Sequence, residues 1–94
     1  MMYLYILRSI NQLGELYIGH TRDLNQRLGY HNSGRCPHTA KFMPWEIIYT
    51  EQFDDEAEAV KRERQIKGWT RAKKEALIAG DRQALKNLAK RHRF

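Results

Sequence analysis

Three side chains in this sequence are suited to phosphate chemistry. Arg27 precedes His31 by four residues, which places both on one face of a helix, and a guanidinium can direct two N–H groups at one phosphate. Glu63 shares a helical face with Ala59 and Ile66, where a carboxylate is costly unless it has a partner. A hard divalent cation is a suitable partner, because Mg²⁺ binds oxygen ligands and often takes a single carboxylate with several waters.

The same residues also have a purely structural interpretation. Arg27 and His31 could be ordinary surface side chains of a short helix. Glu63 precedes Lys67 by four residues, and an exposed ion pair at that spacing is worth about 0.3–0.5 kcal/mol. Taken singly, each residue is explained by structure; the chemical interpretation depends on their occurring together.

The elements that must position these side chains follow from apolar patterns and helix caps. The predicted elements are strands at 2–9 and 15–19, a helix capped by Asp23 and ending near Asn32, a strand at 45–50, a helix from the capping box at 55–58 to Lys67, a helix from Thr70 to Gly80, and a last helix capped by Asp81. Residues 32–44 lack a clear period and are predicted to be a loop. The expected fold is an α+β domain in the order β-β-α-β-α-α-α, with a small three-stranded antiparallel sheet flanked by helices.

Length and composition narrow the class of protein. We expect the 94 residues to form one domain, 1–94, with a basic helical extension at 81–94. Hydrophobic residues make up 41% of the chain, enough for a core, yet no apolar run approaches the roughly 20 residues that span a bilayer. The first residues show no signal peptide, and the single Cys36 suits a reducing compartment. We therefore expect a cytoplasmic protein that does not bind membranes.

The charge is concentrated in the last third of the chain. Residues 61–94 hold 12 basic and 3 acidic side chains, whereas residues 1–60 hold 5 basic and 8 acidic ones. Such a distribution is typical of a surface that binds phosphates, although it also suits a solvated helical face. The charge distribution alone does not choose between a nucleic-acid partner and a solvated face.

The residues suited to phosphate chemistry occur, together with two tyrosine motifs, in a characteristic order along the chain. The motifs are Tyr3-Leu4-Tyr5, Tyr17-Ile18-Gly19, Arg27, His31 and Glu63. In this order and spacing the chain resembles the GIY-YIG nuclease superfamily over about residues 3–78, most closely its short stand-alone bacterial members. It departs from the family pattern at Tyr3 and Leu4, which replace a glycine and an isoleucine, and at Glu75, where many members have asparagine.

The resemblance implies a nuclease active site with one metal ion. Tyr5 and Tyr17 would position and deprotonate the attacking water, Arg27 and His31 would contact the phosphate, and Glu63 would hold Mg²⁺ or Mn²⁺. A free phenol has a pKa near 10, so a tyrosine that takes a proton near pH 7 needs its pKa lowered by about 3. A nearby cation and Arg27 act in that direction. Without this chemistry, the tyrosines would be amphipathic strand side chains.

The expected activity is metal-dependent hydrolysis of DNA phosphodiester bonds, in duplex or branched DNA and in repair or recombination. His20 is a further catalytic candidate, at a position where several relatives carry lysine. A protein partner would supply target selection. The alternative is a nucleic-acid-binding module that keeps the fold and cuts poorly or not at all.

Two further groups of residues have a possible binding role. Trp69, Arg71, Lys73 and Lys74 are predicted to contact nucleic acid, by base stacking and phosphate binding; the alternative is a core tryptophan beside solvated basic residues. His31, Cys36 and His38 suggest zinc only weakly, because a fourth ligand is missing and the spacing fits no common pattern.

Overall fold

The computed structural model describes residues 1–91, with side chains up to residue 87. The elements in chain order are β1 Met2–Ser9, β2 Leu16–Thr21, α1 Leu24–His31, α2 Pro37–Ala40, β3 Trp45–Phe53, α3 Glu56–Lys67, α4 Arg71–Ala79 and α5 Arg82–Arg91. The predicted α+β class with a three-stranded antiparallel sheet is confirmed. Part of the predicted extension, residues 92–94, lies outside the described residues.

Helix caps account for most of the correct boundaries. Asp23, Asp55 and Thr70 each accept a hydrogen bond from the backbone N–H three residues on, as N-caps do. Gly80 ends α4 in the left-handed conformation at φ 72°, which a residue with a side chain adopts only at a cost. These local signals fix the helix ends without reference to the rest of the fold.

Three parts of the chain differ from the prediction. Strand β2 covers Leu16–Thr21 instead of 15–19, because its pairing with β1 continues to Tyr3. The segment predicted to be a loop contains the one-turn helix α2, in which Pro37 occupies the first position, where its missing N–H is not needed. Strand β3 runs to Phe53 instead of Thr50, because antiparallel pairing with β1 continues to Met2. Long-range pairing, which the local pattern does not show, sets that strand end.

The sheet has the order β2-β1-β3, with β1 paired antiparallel to both neighbours. One side of it, here called the aliphatic face, buries a cluster against α3 and α4, made of Leu4, Ile6, Ile18, Ile66 and Leu77. The other side, here called the tyrosine face, buries Tyr5, Leu7 and Trp45 under α1 and the segment that follows it. Side chains alternate along each strand, so β2, at the edge of the sheet, presents residues to both faces.

Candidate active site

Tyr5 lies across the edge strand at Gly19. The two residues are paired in the β1–β2 register, and a Cβ placed on Gly19 would come within 2.6 Å of the Tyr5 hydroxyl oxygen. Only glycine therefore lets the Tyr5 ring occupy this position. The Tyr17 ring lies beside it on the same face, with the two ring centroids 6.3 Å apart. The structure thus brings the two tyrosines together, and the Tyr5 ring explains sterically why residue 19 is glycine.

His31 ends α1 beneath the tyrosines and is 1% exposed. Its Nε2 atom lies 3.0 Å from the Tyr5 hydroxyl oxygen, and its Nδ1 atom lies 3.0 Å from Oγ1 of Thr39. A buried ring with partners at both nitrogens cannot reach a phosphate in solvent, so the expected phosphate contact of His31 is corrected. The ring instead holds the Tyr5 hydroxyl. The weak zinc interpretation also fails for His31, because both of its nitrogens are engaged.

Arg27 lies one turn before His31 and is exposed at the rim of the site. Its guanidinium carbon is 5.5 Å from the centroid of the Tyr30 ring. Burial raises the pKa of Tyr5 and Tyr17 and lowers that of His31; the positive charge of Arg27 partly opposes the rise at the tyrosines and adds to the fall at His31. Arg27 is therefore placed to meet a phosphate that approaches the tyrosines.

Glu63 occupies the middle of α3, between the buried Ala59 and Ile66, and its side chain is 15% exposed. Oε1 accepts a hydrogen bond of 2.7 Å from Nδ1 of His20, and Oε2 accepts one of 2.8 Å from Nζ of Lys67. Burial raises the pKa of Glu63, and the hydrogen bonds from Lys67 and His20 more than offset it, so the pKa lies below its usual value. Glu63 is thus an ionised carboxylate, and the ion pair of the structural interpretation is also present.

The edge strand brings Glu63 towards the tyrosines from the opposite face. His20, which fixes Glu63, follows Gly19 directly and points to the aliphatic side, opposite Leu4 in the register. The charge of Glu63 raises the pKa of both Tyr5 and Tyr17. His20 thus holds the carboxylate of Glu63 at the edge strand that also carries Tyr17, on the other side of the sheet.

Neither tyrosine hydroxyl has a lowered pKa. Burial raises the pKa of Tyr5. The neighbouring Tyr17 and Glu63 raise it further, and the charge of Arg27 only partly opposes the rise. Burial likewise raises the pKa of Tyr17. Arg27 does act in the expected direction, because its charge lowers the pKa of both tyrosines, but desolvation by burial is the larger effect and the net pKa of each is raised. Both hydroxyls carry their protons at neutral pH.

Glu63 fits the role of a single protein ligand to a divalent cation. The carboxylate is ionised, one oxygen is held by His20, and the side chain of Lys67 on the other oxygen is 52% exposed and can move aside. Among the residues that the structure describes, no three His, Cys, Asp or Glu side chains converge, so an ion here would take its other ligands from water or substrate. Mg²⁺ accepts that arrangement readily.

The residues predicted to contact nucleic acid, Trp69 before α4 and Arg71, Lys73 and Lys74 on it, form a separate group. Trp69 packs partly buried against the aliphatic cluster, with the Lys73 ammonium 4.2 Å and the Arg62 guanidinium carbon 5.2 Å from its ring centroid. These contacts favour the interpretation of Trp69 as a core residue. Arg71 donates to the carbonyl of Gly14 in the β1–β2 loop, and a shallow cleft there is lined by Arg71 and Lys74.

Glu75 has a structural role of its own. Its carboxylate pairs with Arg8 on β1, and its second oxygen lies 4.0 Å from Nε of Arg71. The residue that replaces the family asparagine thus ties α4 to the central strand. This contact explains how an acidic side chain is accommodated beside the sheet.

Sequence reasoning missed Thr39. It is fully buried in α2, and its hydroxyl oxygen is the second partner of His31. The segment gave no periodic signal, and the contact joins residues of two different helices. A local cue in the sequence is Pro37, a residue type that is favoured in the first turn of a helix.

Comparison with known proteins decides the family. The family model described as the GIY-YIG catalytic domain matches residues 1–76. The chain belongs to the GIY-YIG family. Members of this family are nucleases in general. The resemblance inferred from the tyrosine, arginine and glutamate motifs is thereby confirmed.

Two relatives and one solved structure each match most of this chain. A UPF0213 protein of Natronomonas pharaonis is 36% identical over 80 residues, which cover 84% of this chain and 92% of the relative. One of Bacillus pumilus is 42% identical over 77 residues, covering 81% and 76%. The solution NMR structure of a UPF0213 protein from Bacillus halodurans matches with a TM-score of 0.54 at 32% identity, covering 86% of each chain. Within the described residues, no helix is both long and apolar enough to cross a bilayer.

Proposed function

We propose that this GIY-YIG domain is an endonuclease that hydrolyses DNA phosphodiester bonds with one Mg²⁺ or Mn²⁺ ion. The observation that carries the proposal is the Tyr5–Tyr17 pair beside the edge strand whose His20 holds the carboxylate of Glu63, with Arg27 exposed on the neighbouring helix. Hydrolysis of a phosphodiester needs a cation at the phosphate oxygens, a positioned water and a group that takes its proton. The site supplies a residue for each.

Arg27 binds the phosphate in this proposal. Its planar guanidinium offers two N–H groups to two phosphate oxygens, and it lies exposed at the rim of the site. Bound at Glu63, the metal ion would act as a Lewis acid on the same phosphate. His20 keeps Oε1 of Glu63 in place, and Lys67 is the side chain that yields.

Tyr5 receives the proton of the attacking water, because it has a hydrogen-bonded base behind it. As the water oxygen bonds to phosphorus, its proton passes to the Tyr5 oxygen, and the Tyr5 proton passes 3.0 Å to Nε2 of His31. The bond to the leaving sugar oxygen breaks, and that oxygen takes a proton from solvent. His31 then returns its proton through Tyr5 to solvent. Tyr17, half-buried beside Tyr5, orients the water.

The basic helices supply affinity in this proposal. Lys and Arg side chains that contact phosphates bind DNA without reading its sequence. We therefore propose that DNA shape, as in branched DNA of repair or recombination, or a protein partner selects the target, and that the protein acts in the cytoplasm. Trp69 contributes to this surface by holding Lys73, and Arg71 and Lys74 extend it to the β1–β2 loop.

The test is Glu63→Gln on a panel of duplex, nicked, flapped, branched and single-stranded DNA, with Mg²⁺, Mn²⁺ or EDTA. Single-turnover cleavage should fall about 10³-fold, since the metal contributes several kcal/mol of charge stabilisation. DNA binding without metal should persist or tighten. Glu58→Gln, at an exposed position in the first turn of the same helix, is the matched control and should cut normally. Cleavage by Glu63→Gln at the parent rate would overturn the proposal.

A second candidate is a nucleic-acid-binding module that does not cut. It is favoured by the two donors that already occupy both oxygens of Glu63 and by the raised pKa of both tyrosines. The same panel decides between the two: salt-sensitive binding with no cleavage in Mg²⁺ or Mn²⁺ would establish the binding module.

A further inference from the structure

Thr39 lies at the centre of a buried chain of hydrogen bonds on the tyrosine face. Its side chain is fully buried, and Oγ1 lies 3.0 Å from Nδ1 of His31 and 3.4 Å from the backbone oxygen of Cys36. Its own carbonyl accepts a 2.8 Å hydrogen bond from Nε1 of Trp45. The chain continues on the other side of the imidazole ring to the Tyr5 hydroxyl.

Counting protons along this chain selects one arrangement. The Tyr5 hydroxyl and the Thr39 hydroxyl each have one proton to donate, and a neutral imidazole has one N–H and one acceptor nitrogen. If Nδ1 carries the proton, Tyr5 donates to Nε2, Nδ1–H donates to Thr39, and Thr39 donates to the Cys36 carbonyl. Every buried donor then has an acceptor.

The opposite tautomer leaves the chain incomplete. With the proton on Nε2, His31 would donate to the Tyr5 oxygen, and Thr39 would donate to Nδ1. The Tyr5 hydroxyl proton would then have no acceptor among the contacts within the described residues. The first arrangement is therefore the one in which protein groups alone accept every proton of the chain, and it leaves the Tyr5 oxygen able to accept from the attacking water.

We infer that Thr39 is a positioning residue that holds His31 in the tautomer able to accept the Tyr5 hydroxyl proton. The inference deepens the proposed function and rests on it for its catalytic meaning: the proton moves from the Tyr5 oxygen to Nε2, leaving a doubly protonated ring whose Nδ1–H still donates to Thr39. A histidine in the other tautomer could not take that proton at Nε2.

The surrounding structure keeps Thr39 in place from two directions. Asn32, the C-cap of α1, accepts from the Trp45 backbone N–H at 2.6 Å and donates to its carbonyl at 3.0 Å. Trp45 in turn donates its indole N–H to Thr39. The end of α1, the helix α2 and the start of β3 are thereby joined around the His31 ring, which fixes the hydroxyl within reach of Nδ1.

The direct test is the tautomer of His31, read from the ¹⁵N chemical shifts and long-range ¹H–¹⁵N correlations of the ring in the native protein. This measurement needs neither DNA nor metal, so it stands even if the protein proves not to cut. The expected result is a proton on Nδ1 and an acceptor Nε2. A native protein with the proton on Nε2 would overturn the inference, whatever the variants do.

Two variants then test the role of the hydroxyl. Thr39→Val keeps the shape and removes the acceptor, so the Nε2–H form should become populated, and single-turnover cleavage should fall about tenfold with DNA affinity unchanged. Thr39→Ser should restore both. The indole N–H signal of Trp45 reports whether each variant keeps the native arrangement. An unaltered tautomer in a folded Thr39→Val protein would overturn the inference.

Discussion

The two faces of the sheet are filled by different chemistry. The aliphatic face packs Leu4, Ile6 and Ile18 against Ile66 and Leu77, all from regular strands and helices. On the tyrosine face, hydrogen bonds join Tyr5 to His31 and His31 to Thr39, and these residues come from a strand, a helix and a one-turn helix. One face is held mainly by apolar contact, and the other combines an apolar cluster with directed bonds between distant parts of the chain.

This difference separates stability from chemistry. Apolar contact is roughly proportional to buried area and has no preferred direction, so it suits a core that must only be stable. Hydrogen bonds fix angles and proton positions, which a reactive site requires. We therefore expect substitutions in the apolar cluster of the aliphatic face to change unfolding, and substitutions of the hydrogen-bonded residues on the tyrosine face to change rates and pH dependence.

The largest expected effect is that of Ile66→Ala on stability. Ile66 is fully buried in the aliphatic cluster, and its truncation should lower the free energy of unfolding by about 2–5 kcal/mol. Denaturant titration measures this loss. Leu13→Ala is the control, because Leu13 is 64% exposed in the β1–β2 loop and should change stability by less than about 0.5 kcal/mol. If the two substitutions lowered stability equally, Ile66 would not have the stabilising role given to the aliphatic cluster.

The next effect is that of Arg27→Lys on cleavage. Lysine keeps the charge and loses the two-pronged geometry, so kcat should fall about 10²-fold while DNA affinity changes little. Single-turnover kinetics and a binding titration on one DNA measure the two quantities. Arg82→Lys, at an exposed position that begins α5, provides the control. Near-normal turnover of Arg27→Lys would remove this residue from the site.

A third prediction concerns α4 and α5, which lie outside the tyrosine face. Replacing Lys74, Arg82 and Lys86 by glutamine should flatten the slope of log K against log salt concentration by about 2–3, if each contacts one phosphate. Binding titrations over a range of salt measure the slope. Replacing Lys41, Lys61 and Arg64, which are exposed elsewhere, is the charge-matched control. Identical slopes in all three proteins would show that α4 and α5 face solvent.

The smallest effect is the dependence of stability on pH that His31 produces. Burial, with a contribution from Arg27, lowers the pKa of His31 below its usual 6.5. The unfolded chain therefore binds the proton more readily, so this contribution to stability is complete above about pH 6.5 and is lost as the pH falls, by at most about 1.4 kcal/mol per unit.

Unfolding of His31→Gln at several pH values measures that contribution. The variant should show a shallower loss of stability below pH 6.5 than the parent. His38→Gln, which removes an exposed histidine of α2, should keep the parent slope. If His31→Gln and the parent show the same slope, His31 does not titrate differently in the folded and unfolded states.

The sequence allowed prediction where the determining interactions are local. Asp55 caps α3 through a residue three positions on, and Gly80 ends α4 through its own backbone conformation, so both boundaries could be inferred. The burial of His31 could not, because it depends on Tyr5, 26 residues away, and on the helix α2. The pairing of Glu63 with His20 spans 43 residues and was missed for the same reason.

The position of β2 at the edge of the sheet has a consequence for how such a site can diverge between relatives. Tyr17 and His20 lie on one strand but face opposite sides, so Tyr5 is anchored in one core and Glu63 in the other. A substitution beneath Glu63 therefore acts through the aliphatic cluster, whereas the hydrogen bond that holds Tyr5 lies on the tyrosine face. Selection can therefore adjust the two halves of the site separately, with β2 as their shared boundary.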